Sequence, residues 1–296
     1  MNAVSSAGLP LIGAHVPARG GVHNAVAAGV AIGADLIQTH PTPARTWRPL
    51  RLDPAILSLY RESFAASGLR GHHLHAVYLV NLGSPRPELL RASISSLVHH
   101  MEIAASLDAD SVVFHAGSHL GAGLDAVLGQ IGAALREVLA ASPPGRARLL
   151  VENSAGSGGT IGRSFTELGR ILHAAGSDRL GVCLDTQHAF ASGYDLRSDE
   201  GVEGTLGELA REVGLDRLHL VHANDSRTGL GSNADRHANV GEGELGLAAF
   251  RRLLGDPRLR RVPWVLEVPG SRREGPDREQ VALLKSLRHR RRRGAP

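Results

Sequence analysis

Asp235 and His237, in the stretch GSNADRHANVGEG (231–243), have side chains whose types and spacing can do chemistry together. On an extended backbone, residues i and i+2 point the same way, so the carboxylate and the imidazole face one point while Arg236 faces away. A carboxylate oxygen and an imidazole nitrogen converging on a point are what a hydrolytic divalent metal needs. The stretch is polar, glycine-rich and without hydrophobic period. A solvated loop with an ordinary Asp235–Arg236 surface pair has the same sequence, so the pair alone does not decide.

Further candidates close the apolar runs of the chain: His15, His75, His115, Glu152, Asp185, His222 and Glu267. Singly, a His or Asp at such a position caps the next helix or turn. Seven run ends offering only His, Glu and Asp are harder to explain as independent caps. Crowding carboxylates and imidazoles onto one rim is unfavourable unless cations balance them, which points to more than one metal ion. His188 lies three residues past Asp185 in DTQHAF, and Asp235 and His237 follow the run that ends VHAND. Nine candidate ligands therefore come from six run ends and two loops: His75, His115, Glu152, Asp185, His188, His222, Asp235, His237 and Glu267.

The elements that must position them are eight short β-branched or apolar runs. They are LIGAHV (11–16), ADLIQT (34–39), HHLHAVY (72–78), SVVFHAG (111–117), RLLVEN (148–153), GVCLDT (181–186), LHLVHAND (218–225) and PWVLEV (263–268). Segments with helical spacing of Leu, Ala, Val and Ile separate them, such as PELLRASISSLVHHMEIAASL and GLAAFRRLLG. Strand and helix alternating eight times predict a parallel sheet closed into a single (β/α)₈ TIM barrel, with the metal cluster at the C-terminal rim of the strands. An open doubly wound sheet is the alternative, weakened because no glycine-rich dinucleotide fingerprint follows an early strand.

The 296 residues fit one such barrel, and a hydrophobic content of 42% supplies its core, although aromatics are only 3%. The single cysteine, Cys183, excludes a disulfide framework and a cysteine-based zinc site, and its apolar run GVCLD predicts a buried, inert thiol. Its surroundings fit a reducing, cytoplasmic location. No apolar run reaches the roughly 18 residues of a membrane span, and the N-terminus lacks the charged start of a signal peptide. Residues 1–10 form a flexible leader, 11–287 the barrel and 288–296 a basic tail expected to be disordered. The net charge is +4, and the tail's RHRRRRG (288–294) carries part of the excess; Lys285 is the sole lysine. Such a tail attracts phosphates non-specifically, and drift toward arginine produces it equally well.

The chain resembles the endonuclease IV family of apurinic/apyrimidinic endonucleases. The stretches that carry the resemblance span nearly all of it: IGAHVPARGG, HAVYLVNLGSP, FHAGSHL, VENSAG, CLDTQHAFASGYD, VHANDS, GSNADRHANVGEG and VLEV. The resemblance implies a barrel holding three divalent metal ions, with zinc favoured and manganese or iron compatible with the same N and O ligands. It implies that His75, His115 and Glu152 bind the first ion. Glu152 bridges to the second, completed by Asp185, His222 and Glu267, and His188, Asp235 and His237 bind the third. The implied reaction hydrolyses the phosphodiester 5′ to an abasic site in duplex DNA, leaving a 3′-hydroxyl and a 5′-deoxyribose phosphate, with 3′-phosphatase or 3′-phosphodiesterase side activity. A metal pair lowers the pKa of its water and offsets phosphate charge, which suits an anion that resists attack at neutral pH. Arg45, Tyr78 and Leu79 match the family's residues that enter the duplex, where a missing base has already cost the stacking. Packing at the end of strand three is the structural alternative for Tyr78 and Leu79. The implied partner is duplex DNA, the protein is expected to be a monomer, and no membrane is involved.

Several positions depart from the family pattern. Many members have an aromatic residue where this chain has Gln38 or Thr39, THPTPARTW looks longer than usual, HAVY replaces HxPY or HDSY, and DTQH replaces DTCH. These touch DNA contacts and metal tuning more than the ligand set. Two other functions compete. A sugar isomerase or epimerase of the same barrel superfamily needs Glu152, Asp185, His222 and Glu267 only. A non-catalytic abasic-DNA binder would tolerate a missing ligand, and none is missing.

Overall fold

The computed structural model describes residues 8–288. Eight parallel strands close a barrel: β1 (Ile12–His15), β2 (Ile37–Thr39), β3 (His72–His75), β4 (Ser111–Phe114), β5 (Arg148–Glu152), β6 (Leu180–Asp185), β7 (Leu218–His222) and β10 (Trp264–Leu266). Each corresponds to one of the eight expected runs, and β10 pairs with β1 to complete the ring. The outer layer includes α1 (Val22–Ala31), α2 (Pro54–Ser67), α3 (Pro87–Ser106), α4 (Leu124–Ala141), α5 (Phe165–Ala175), α7 (Asp199–Glu212), α8 (Gly246–Gly255) and α9 (Arg278–Ser286). No helix among the described residues is long and apolar enough to cross a membrane.

Two cores follow from the two-residue period of a strand. One set of strand residues packs outward on the helices, as Val112, Phe114, Leu149 and Val151 do. The other fills the barrel: Leu36, Val113, Leu150, Cys183, Leu220 and Val265 form a separate buried cluster. Cys183 is fully buried, and burial pushes its thiol up to about 12, so it is an inert part of this plug. Gly13 belongs to the same floor, since a Cβ there would lie 2.3 Å from Leu36 Cδ1. Two residues beyond each plug residue stand Gln38, His115, Glu152, Asp185, His222 and Glu267. One alternation thus sets an apolar plug beneath a polar rim.

The expected strands are longer than the observed ones where the chain leaves the barrel. LHLVHAND ends as a strand at His222. Asp225–Ser226 forms a separate short strand, β8, antiparallel to β9 (His237–Ala238). The glycine-rich stretch therefore contains one short strand of a hairpin, His237–Ala238, while residues 231–236 before it remain a largely exposed loop. Its anchor is Asp225, whose carboxylate accepts from the backbone N–H groups of Gly241, Gly243, Leu245 and Gly246. Gly243 is required there, because a Cβ would lie 2.5 Å from Asp225 Oδ1.

At the other end of the chain, Arg288 donates to the Pro10 carbonyl at 2.8 Å and lies 3.2 Å from Asp35 Oδ2. The rest of the basic tail, and most of the leader, lie outside the described residues.

Candidate metal centre

The nine candidate ligands meet at the C-terminal rim, and their ring orientations share a logic. His75 Nδ1 donates to the Ala76 carbonyl at 2.8 Å, which leaves Nε2 3.3 Å from Glu152 Oε2. His188 Nδ1 donates to the Asn153 carbonyl at 2.9 Å, which turns Nε2 toward Asp235 Oδ1 at 3.5 Å. His237 Nδ1 faces the Glu267 carbonyl at 3.4 Å, with Nε2 3.3 Å from the same Asp235 oxygen. His222 is reversed: Nε2 is occupied outside, and Nδ1 lies 3.0 Å from Glu152 Oε1 and 3.3 Å from Glu267 Oε2. His115 Nε2 completes the group, 3.5 Å from Glu152 Oε2. One nitrogen anchored outward and the other aimed at carboxylates is how metal-binding imidazoles are held.

Three sets of donor atoms lie close enough to hold an ion: His75, His115 and Glu152; Glu152, Asp185, His222 and Glu267; and Asp185, His188 and His237. Asp235 flanks the last set and is 60% exposed, so solvent and substrate reach it. Among the described residues the buried Nε2 atoms of His188 and His237 have no hydrogen-bond partner, lying 3.5 and 3.3 Å from Asp235 Oδ1 without hydrogen-bond geometry. A buried lone pair or N–H left unpaired costs free energy, and a divalent cation between these atoms removes the cost. The residues present fit metal ions on both grounds, orphaned donors and an all-N/O donor set.

The electrostatics are consistent with this. Burial disfavours charge on Glu152, but His222 and His115 outweigh it and hold the carboxyl well below the usual range. Glu267 is likewise held down against burial, chiefly by His222 and by His15. Burial also works against protonating His188 and His222, yet Asp185, Asp235 and Glu152 raise the first well above 6.5, and the carboxylates Glu267 and Glu152 the second. All ion pairs of Glu152, Asp185, Asp235 and Glu267 among the described residues are with histidines. Without metal the imidazoles must carry the balancing charge as protons.

The capping alternative holds in part. Asp185 Oδ1 accepts from the His188 N–H at 2.8 Å and caps the short helix α6 (Thr186–Ser192), which presents His188. Its Oδ2 remains at the rim, 3.8 Å from His237 Nε2. His15, the seventh strand-end residue, joins no ligand set; its Nδ1 lies 3.1 Å from Glu267 Oε1. A cavity of about 800 Å³ opens over the rim and is lined by Arg45, Tyr78 and Leu79 together with His75, Glu152 and Asp235. Tyr78 is 53% exposed; its backbone N–H donates to the Ala44 carbonyl and its hydroxyl lies 3.3 Å from His40 Nε2. Leu79 is half-buried against the core, so the packing alternative applies to it more than to Tyr78.

The relatives fix the family. A family model described as a xylose isomerase-like TIM barrel matches residues 26–288. A Chloroflexus aurantiacus protein named "Probable endonuclease 4" is 38% identical over 280 residues, covering 94% of this chain and 98% of its own. One of the same name from Oleidesulfovibrio alaskensis is 40% identical over 278 residues, 94% and 95% of the two chains. The chain belongs to the endonuclease IV family. The crystal structure of endonuclease IV from Thermus thermophilus superposes with a TM-score of 0.83 at 38% identity, covering 94% of this chain and 98% of that one. A D-tagatose 3-epimerase-like protein shares the barrel at a TM-score of 0.68 and 16% identity, covering 94% and 95% of the two chains, which speaks for the fold alone.

Within this family site, attention to acids and imidazoles misses the amides. Gln38, Asn153 and Asn224 are fully or almost fully buried at the rim. Asn224 donates to Asp185 Oδ2 at 2.6 Å and accepts the Glu267 N–H at 3.0 Å, tying two candidate ligands together. Asn153 Oδ1 accepts the Asp185 N–H at 2.6 Å. Gln187, the departure in DTQH, donates to the Ala234 carbonyl at 2.9 Å and so ties helix α6 to the residue before Asp235. The available signal was position: Gln38 is next to last in strand β2 and Asn224 lies in HAND.

Proposed function

We propose that the protein is a DNA-repair endonuclease that hydrolyses the phosphodiester 5′ to an abasic site in duplex DNA, leaving a 3′-hydroxyl and a 5′-deoxyribose phosphate. It acts in the cytoplasm as a monomer and needs three divalent ions, zinc by preference. His75, His115 and Glu152 hold the first; Glu152, Asp185, His222 and Glu267 the second; His188, Asp235 and His237 the third. Bound there, the ions supply Lewis acidity and an acidified water for phosphodiester hydrolysis.

The observation that carries the proposal is the trio His188, Asp235 and His237. A sugar isomerase or epimerase has no use for it, yet helix α6 and a dedicated hairpin bring it to the rim. The printed names of the relatives agree with a nuclease.

The protein's own groups do the rest. Glu152 turns one carboxylate oxygen to the His75–His115 side and the other to His222, an arrangement that supports it as the residue that would be shared by the first two ions; it need not serve as a general base. Arg45, Tyr78 and Leu79 line the rim cavity, where Tyr78 can stack in the gap left by a missing base while the flipped sugar enters. The apolar plug beneath closes the barrel, so substrate reaches the rim from above only. Removal of a 3′-phosphate or 3′-phosphodiester breaks the same bond type and follows as a side activity.

The test is a duplex oligonucleotide carrying one tetrahydrofuran abasic analogue, which cannot β-eliminate. Metal-replete protein is expected to nick it with a 3′-hydroxyl, and chelation is expected to stop it. No nick from metal-replete protein would overturn the proposal and turn attention to enolisable sugars.

A further inference from the structure

Three of the candidate ligand histidines direct their outer nitrogen to a main-chain carbonyl: His75 to Ala76, His188 to Asn153 and His237 to Glu267. His222 is held instead by a side chain, the carboxamide of Gln38. We propose that Gln38 is a positioning residue for the metal centre, dictating which nitrogen of His222 a divalent ion meets and holding Glu267 beside it. This rests on the metal-centre reading of the rim.

The polarity of the amide is not free. Gln38 Nε2 lies 2.5 Å from Glu267 Oε1 and 3.0 Å from His15 Nδ1. An ionised carboxylate only accepts, so the amide nitrogen must face it; the flipped amide would set two oxygens against each other at that distance. Gln38 Oε1 is then the atom 3.0 Å from His222 Nε2, and an amide oxygen only accepts. His222 Nε2 must therefore carry the proton and donate. Nδ1, which already faces Glu152 Oε1 and Glu267 Oε2, is then the nitrogen left for a divalent ion to meet. One buried amide thus fixes the tautomer of one ligand and the rotamer of another, on residues 184 and 229 positions away. Strand β2 contributes no acid or imidazole to the centre; Gln38 is its contribution. The side chain is fully buried, so no water stands ready to replace these bonds.

Gln38→Met keeps length and approximate volume and removes both polar contacts. Two readouts test the proposal: release of zinc from loaded protein into an excess of a chelating dye, and ¹⁵N imidazole spectra of zinc-loaded wild type. The wild-type spectra are expected to show His222 bound to metal through Nδ1 with Nε2 protonated. The variant is expected to release part of its zinc about 10–100-fold faster with an unchanged circular-dichroism spectrum. Equal release rates in a folded variant, or His222 bound through Nε2, would overturn the proposal. Should the variant not fold, the wild-type spectra still decide. Wild type that takes up no zinc would sink the metal-centre reading and this inference with it, whereas zinc uptake with unaltered release by the variant would sink this inference alone.

Discussion

At the N-terminal mouth of the barrel, Arg146 donates to Asp110 at 2.6 Å and lies 3.5 Å from Asp108, beside a cavity of about 270 Å³. His73 at that mouth donates to or accepts from Ser111 at 2.8 Å. Burial first, with His72 and His222 next at His73 and Arg148 and Arg217 next at His219, pushes His73 down to about 3 and His219 to about 4, so both stay neutral at physiological pH. At the C-terminal rim burial also lowers His115 and takes His40 to about 2, but carboxylates raise His75 and, well above 6.5, His188 and His222 against burial. The floor is neutralised by its own side chains. The rim is neutralised only by protons or by metal. A barrel that can settle its charges at one end and leaves them unsettled at the other marks the second as the place where ions bind.

The most severe way to break this contrast is Glu152→Gln. It removes the carboxylate that faces four of the five ligand histidines. Incision of the tetrahydrofuran duplex is expected to fall roughly 10³-fold or more, while gel-shift binding of the same duplex persists. Full activity in the variant would rule out the proposed bridging role of Glu152.

His188→Ala should act more narrowly, lowering the metal content by one ion per chain and leaving the other ions in place. Elemental analysis that still finds the wild-type content would refute the third set.

A smaller and graded effect follows from pH. Raised pKa values on His188 and His222 mean that metal must displace protons, so loading releases acid and weakens as pH falls, by about tenfold per pH unit for each proton displaced. In the metal-free protein the stability tied to these imidazoles is fully present below about 6.5 and lost as pH rises through their raised values. The part tied to Glu152 and Glu267 has the opposite sign, present above about 4.3 and lost as pH falls through their lowered values. Zinc titration in weakly buffered indicator dye measures the released protons, and a pH-independent affinity would contradict the charge account.

The floor should scarcely respond. Arg146→Ala breaks an ion pair whose partners are 50% and 34% exposed, so denaturant unfolding is expected to shift by less than about 1 kcal/mol, with no change in incision. Loss of activity would mean that the two ends of the barrel are coupled.

Much of the rim was legible in the sequence because its chemistry is carried by rare residue types at strand ends. The period of a strand then does the positioning: Leu150 to Glu152, Cys183 to Asp185 and Leu220 to His222 are the same step from plug to rim. The i, i+2 spacing of Asp235 and His237 pointed to a shared target, and both face His188 or its neighbours. The hairpin that carries them was not legible, since Asp225 acts through backbone groups up to 21 residues away. Nor were Gln38, Asn153 and Asn224. Amides are common, and theirs become special only through partners that the fold supplies from other strands.

The central claim is that the rim is a trinuclear metal centre, and elemental analysis of zinc-loaded, desalted protein tests it most directly. Three tightly held ions per chain, falling to two in His188→Ala, is the predicted result. A single ion per chain, or one unaffected by the loss of His188, would contradict the account and leave the four-residue set of Glu152, Asp185, His222 and Glu267 as the whole site.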